Sequence, residues 1–377
     1  MGIQLFKKTN INFTGFRRKA YLISLFFFLT GMIWIFMNGG LRYGVDFAGG
    51  VIVQTEFAQP VQDEAVKASL AEVDMSGLTV QRIGTDNREY MLRFTATEGA
   101  SENLRSRVLE HFAKAMPENQ VTIQRMEMVG PKVGADLRNQ AVEALFYAIL
   151  LITIYISGRF EKNWFIAGGV SAVLWGGIYL LDHGAQWFGI GWFNKMYAIA
   201  VAMLITLVLA KKLKLNFALG AIIALFHDVA ITVGVLTVLG EDIDLNIIAA
   251  LLTLVGYSLN DTIVVYDRIR ENLRIMTENG AEPTMEEVIN ASINQTMSRT
   301  VMTSLTTLFA CLSLFLLGGS VIHGFALTIL IGIVVGTFSS VFVASPILLA
   351  LGDVNLYRSQ QERITEDYEK PGEHGMV

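Results

Sequence analysis

Eight stretches of the chain are apolar for long enough to be read as membrane-spanning helices: residues 20–38, 140–158, 164–182, 195–210, 217–239, 246–267, 300–318 and 323–351. A spanning helix needs about 20 mostly apolar residues. The fourth stretch is short, so its Lys flanks must snorkel or the bilayer must thin locally. The last is long, and Pro346 is expected to bend or fray its end. Residues 39–139 follow a different pattern. "GVIVQTEF" has the β-branched content of a strand. "PVQDEAVKASLAEV" then sets Val66, Leu70 and Val73 at helical spacing after Pro60. "TVQRIG" and "EYMLRF" read as short strands joined through Thr85 to Arg88, "ASENLRSRVLEHFAKAM" as helix and "VTIQRMEMVG" as strand. The order β-α-β-β-α-β is the split βαβ, or ferredoxin-like, pattern, which buries one sheet face under two helices. The fold class is therefore an α-helical polytopic membrane protein with one small α+β domain outside the bilayer. That domain offers no catalytic constellation, since His111 stands alone.

Composition agrees with this reading. The 377 residues are 53% hydrophobic and only 17% charged, against about 25% charged in a soluble domain. The net charge of −5 is a chain average and argues neither way about nucleic acid. The one cysteine, Cys311, excludes an intrachain disulfide and any multi-cysteine metal site, and is read as packing. Lys7, Lys8, Arg17, Arg18 and Lys19 before the first apolar run look like the start of a signal peptide. The run is longer than a signal core and "MNGGLRYG" has no small-x-small cleavage site, so it is read as a retained anchor. Lys and Arg set the orientation. They cluster at the amino terminus, at Arg159 and Lys162, at "KKLK" (211–214), at "DRIREN" with Arg274, and at Arg299. The alternate connections hold only Lys195. Both termini are expected on the cytoplasmic side. Residues 1–19 then form a cytoplasmic start and 352–377 a cytoplasmic tail.

Polar residues inside the apolar runs carry the candidate chemistry. Asp261 lies six residues before Asp267 at the cytoplasmic boundary, roughly 9 Å inside. Facing lipid, an ionised Asp costs about 2.5–3.5 kcal/mol. It must face the bundle or a polar cavity, be protonated part of the time, or find a cation. Burial disfavours a carboxylate's charge and a nearby cation favours it, and that competition suits proton uptake and release. The bland alternative is a static packing group. Asn260 reads equally well as an interhelical amide contact, and Gly256 as a site of close helix approach. Arg299 is the candidate cation, though a basic residue at that helix end is also ordinary orientation signal. Behind it Thr300, Thr303 and Thr307 recur at helical spacing and share a face. His227 and Asp228 sit together in mid-helix. They are adjacent residues that cannot converge on a metal, so no metal site is expected.

These blocks resemble the SecF family, the smaller membrane subunit of the SecDF protein-export auxiliary and a relative of the resistance-nodulation-division exporters. "GVDFAGG", with Gly44, Asp46, Phe47, Gly49 and Gly50, resembles the family's motif just outside the first helix. "VGPKVGADL", "ALFHDVAIT", "GYSLNDTIVVYDRIREN", "SRTVMTSLTT" and "IGIVVGTFSSVFVASPILL" follow in the family's order. The resemblance implies an RND-like bundle in the bacterial cytoplasmic (inner) membrane, with 39–139 periplasmic. It implies proton movement at Asp261 and Arg299. The reading of the residues above places Asn260 and Asp228 on the same proton pathway, with His227, Thr300, Thr303 and Thr307 as polar support. It also implies a SecD partner carrying a further carboxylate. The remaining implied partners are the SecYEG channel, the SecA ATPase, YajC, the YidC insertase and translocating preproteins, with no nucleic acid.

The family's usual subunit has six spans. Here residues 164–210 look like an inserted two-helix hairpin between the second helix (140–158) and a four-helix bundle (217–351). An even number of added helices leaves the topology unchanged. The expected function is to couple the proton-motive force to late steps of export, with protons as coupling ion, no cofactor and no covalent catalysis. The alternatives are a free-standing RND-type exporter of lipids or drugs, and a non-transporting assembly subunit for SecD.

Overall fold

The computed structural model describes residues 10–70, 78–83, 86–94, 104–161, 164–188, 195–279, 281 and 283–351. Residues 1–9, the turn at Thr85 and the expected cytoplasmic tail, 352–377, lie outside the described residues. In chain order the elements are α1 (Arg17–Met37), α2 (Val45–Ala48), β1 (Gly50–Phe57), α3 (Asp63–Ser69), β2 (Thr79–Ile83), β3 (Glu89–Phe94), α4 (Leu104–Ala115) and β4 (Val121–Val129). There follow α5 (Pro131–Glu161), α6 (Trp164–Trp187), α7 (Lys195–Lys212), α8 (Asn216–Leu239), α9 (Leu245–Glu278), α10 (Met285–Leu317), α11 (Gly319–Ser339) and α12 (Ser345–Leu351).

Among the described residues, seven helical segments are long and apolar enough to cross a membrane. The protein is a multi-pass membrane protein. α7 is the eighth stretch; its 18 residues include Lys195, Lys211 and Lys212, which dilute its apolar run. It packs through Ile199 and Ala202 against Ile178 of α6 and Phe146 and Leu150 of α5.

The strands form one antiparallel sheet in the order β2-β3-β1-β4. This is the arrangement that the split βαβ pattern demands. Alternation along β1 and β3 turns Val51, Val53, Tyr90 and Leu92 to one face. Val66 of α3 and Val108 and Phe112 of α4 cover that face. Ile52, Gln54, Met91 and Arg93 occupy the other face.

In the bundle, α8, α9 and the α11–α12 segment are the most buried spans, and close approach is bought by glycines. A Cβ on Gly31 of α1 would lie 2.6 Å from Gly234 Cα of α8, and one on Gly332 would lie 2.5 Å from Leu254 of α9. Gly256 is not such a site: it is exposed, with open space where a Cβ would go. Cys311 packs with Ala250, Ile329 and Ile333. Pro346 leaves its mark one turn upstream. Proline cannot donate to the preceding turn and crowds its carbonyl, and Ser340–Ala344 widens into a π turn between α11 and α12. The Ser345 hydroxyl donates to Ser340 O at 2.8 Å across this turn.

Candidate functional site

Among the described residues two carboxylates are buried within the bundle, and their surroundings differ. Asp228 of α8 is 1% exposed and fully partnered. Its Oδ1 lies 2.9 Å from His227 Nδ1. Its Oδ2 accepts from Ser258 of α9 at 2.5 Å and from Ser339 of α11 at 2.8 Å. His227 Nε2 lies 2.8 Å from Ser24 Oγ of α1. With the ring proton on Nδ1, the imidazole donates to Asp228 and accepts from Ser24, an assignment made from the network. Four helices are thereby pinned at one level. Gly336 makes room for the pin: a Cβ there would lie 3.1 Å from Ser258 Cβ.

Asp261, one turn along α9 from Ser258, is 4% exposed. Its Oδ1 receives one long contact, from the Thr303 hydroxyl of α10 at 3.4 Å. Its Oδ2 is buried with no hydrogen-bond partner. A buried carboxylate oxygen without a donor is a costly arrangement for the charged form. Around it, Thr262 Oγ1 meets Ser340 Oγ at 3.2 Å and Ser304 Oγ meets Thr337 Oγ1 at 2.7 Å. Thr300 is buried and its hydroxyl has no partner. Thr307 donates to Thr303 O at 2.9 Å. A hydroxyl-lined track therefore runs between α9, α10 and α11, with Asp261 as its acidic member.

The structure does not bring every sequence-predicted residue into this cluster. Arg299 is exposed, and no ion pair within 4.0 Å joins it to Asp261. Asn260 is exposed on α9. Gly44, Asp46, Phe47, Gly49 and Gly50 form a separate joint at the outer end of the bundle. Gly44 N–H donates to Ile243 O at 2.8 Å, and Leu245 N–H donates to Asp46 Oδ2 at 3.0 Å. Phe47 packs against Leu236, Ile247 and Leu251. Gly49 has φ +76° and lies so close to Pro131 that a Cβ would meet Pro131 Cα at 2.7 Å. Beside it, burial lifts the Asp244 carboxyl above the ordinary carboxylate range, the Asp46 charge adding to the effect against the Ile247 N–H that favours ionisation.

Several participants were not singled out in the sequence. Ser258, Ser339 and Ser340 sit in the quoted blocks and Ser24 in the first apolar run, but a serine in a spanning helix more often bonds its own backbone. Glu161 is another. Its Oε1 accepts from Phe217 N–H at 2.9 Å, capping α8 from 56 residues away. This contact spans the 164–210 segment and holds the ends of α5 and α8 together.

A bundle of spanning helices with carboxylates buried inside it, carrying one split βαβ domain outside, defines an RND-like membrane protein. Two family descriptions match: "Protein export membrane protein SecD/SecF, C-terminal" over residues 108–178 and 192–354, and "SecD/SecF GG Motif" over 33–61. The break in the first match falls within 164–210. Relatives named protein translocase subunit SecF include those of Desulfurispirillum indicum, 37% identical over 88% of this chain and 90% of its own, and Magnetococcus marinus, 38% identical over 92% and 93%. The SecF of Escherichia coli O157:H7 is 34% identical over 88% and 85%. Among solved structures, the crystal structure of SecDF from Thermus thermophilus, described as a translocon-associated membrane protein, is 33% identical with a TM-score of 0.68. It aligns with 91% of this chain, which spans 39% of that longer one. SecDF in its super-membrane-facing form gives 31% identity and a TM-score of 0.54 over 96% of this chain and 41% of its own. The chain belongs to the SecF family of protein translocase subunits.

Proposed function

We propose that the protein works with a SecD-like subunit in the bacterial cytoplasmic membrane and couples the proton-motive force to late steps of protein export. In this reading both termini are cytoplasmic, the β1–β4 domain lies outside, and the 164–210 hairpin crosses the membrane twice. SecYEG, SecA, YajC and the YidC insertase are the neighbours it serves beside, and translocating preproteins are its cargo. Protons are the coupling ion.

The observation that carries this reading is the contrast between the two buried carboxylates. Asp228 has a donor for each oxygen and is fixed in place. Asp261 has an oxygen with none, so a proton there relieves an unpartnered charge and its loss restores one. Protonation therefore changes how α9 sits against the hydroxyls of α10 and α11. In this reading Arg299 is the cation that favours the ionised form. One proton crossing a 100 mV potential releases about 2.3 kcal/mol. That lies within the ~1–3 kcal/mol typical of coupling between sites.

The test uses proteoliposomes holding the chain, its SecD-like partner and the translocation channel. Asp261→Asn should abolish stimulation of export by a proton gradient while the complex still co-purifies. Normal stimulation by that variant would refute the proposal.

A further inference from the structure

The outer domain is joined by the chain to α1, through β1, and to α5, through β4. Neither helix carries Asp261, which lies on α9. What reaches α9 is a set of contacts made by the turn between α8 and α9. Arg93 of β3 projects from the open face of the sheet, its register neighbours being Ile52 of β1 and Thr79 of β2. Its guanidinium pairs with Asp242 of the turn. Arg42 grips the other oxygen of the same carboxylate at 3.1 Å. Asp242 is only 17% exposed, so these pairs are less screened than surface ion pairs. The backbone repeats the connection: Ile243 N–H donates to Arg42 O at 2.8 Å and its carbonyl accepts from Gly44. Directly beyond, Asp46 and Asp244 cap α9 at Leu245 and Ile247. One carboxylate from the outer linker and one from the turn thus hold the same helix end.

We propose that Asp242, clamped by Arg93 and Arg42 and seconded by Asp46, is a rigid joint through which the N-terminal end of α9 and the outer domain move as one body. The joint rests on the reading above that proton movement at Asp261 drives export, and it names the residues that carry the movement outward. It stays closed throughout the cycle. A contact that broke at every stroke would have to strip the largely buried Asp242 of both guanidinium partners and reopen the paired backbone of Ile243 each time.

The experiment compares variants of the full chain, co-purified with its partner, in the proteoliposome assay. Arg93→Gln should lower proton-driven stimulation at least about fivefold, the lower end of typical coupling, with ATP-driven export unchanged. Arg93→Lys, which keeps the charge, should recover at least half of the loss. Arg105→Gln, exposed on α4, serves as the control and should match the parent. A second arm replaces Tyr43 and Ile243, partners in a backbone bridge, by cysteine in a Cys311→Ala background. Oxidation of that pair should leave stimulation intact. Parental stimulation by Arg93→Gln would overturn the joint, as would an Arg93→Lys variant no better than it. Loss of stimulation on oxidation, reversed by reductant, would show that the joint opens and would also overturn it. Asp261→Asn is run alongside. If it too stimulates normally, the proton reading fails; if it alone is impaired, only the joint fails. Should Arg93→Gln not assemble, the cysteine arm decides.

Discussion

Replacing each buried carboxylate in turn should give opposite stability signatures. Asp228→Ala leaves the His227 ring N–H and the Ser258 and Ser339 hydroxyls without their acceptor, in a site that is 1% exposed. A hydrogen bond to a charged group contributes about 1.5–3 kcal/mol, and stripping one partner from a buried charged network costs about 3–5 kcal/mol. Asp228→Ala should therefore destabilise by about 3–5 kcal/mol. Asp261→Asn is nearly isosteric and forfeits one contact of 3.4 Å. It also removes a charge whose second oxygen has no donor, so its cost should stay under about 1 kcal/mol or turn favourable. The assay is thermal unfolding of the detergent-solubilised complex at neutral pH, followed by tryptophan fluorescence. A Tm several degrees lower for Asp228→Ala and unchanged or higher for Asp261→Asn is the expected pair. If Asp261→Asn destabilises as much as Asp228→Ala, the division into a fixed pin and a labile group is wrong.

Gly31→Ala should separate α1 from α8, because its Cβ meets Gly234 backbone at 2.6 Å; overpacking of this kind costs about 1–3 kcal/mol, read as a lower Tm. Asp244 is held protonated more readily in the fold than in the unfolded chain, so the native state binds the extra proton just above the ordinary aspartate value. Stability should then fall as pH rises through the interval above that value, and Asp244→Asn, which keeps a capping oxygen, should flatten this slope in pH-dependent unfolding. A reporter fused within 184–191 should read the outer side and one at 211–214 the cytoplasm; a cytoplasmic result for the first would place the 164–210 hairpin on one side.

Much of this architecture is legible in the residues because membranes punish exceptions. Asp228 and Asp261 stand out as lone acids in apolar runs, and β1 declares itself by its β-branched residues. Ser24, Ser258 and Ser339 do not, because the energetics that single out a carboxylate say little about a hydroxyl able to bond its own helix. Arg299 illustrates a different limit. Its type and place suggest a counter-ion, yet distance is set by how α9 and α10 pack, and here no ion pair forms. The partnership of Arg93 with Asp242 joins residues 149 apart, and the π turn at Ser340–Ala344 needs the neighbouring hydroxyls to be seen. Gly256 fails as a packing glycine because, among the described residues, nothing lies against its face of α9.

The central claim is that the Asp261 carboxyl gains and loses a proton while Asp228 stays fixed. Infrared difference spectroscopy of the reconstituted complex, comparing high and low pH, reads this directly as a carboxylic-acid C=O band. Part of the band should be lost in Asp261→Asn and kept in the parent and in Asp228→Asn. A band unchanged in Asp261→Asn and diminished in Asp228→Asn would contradict the account.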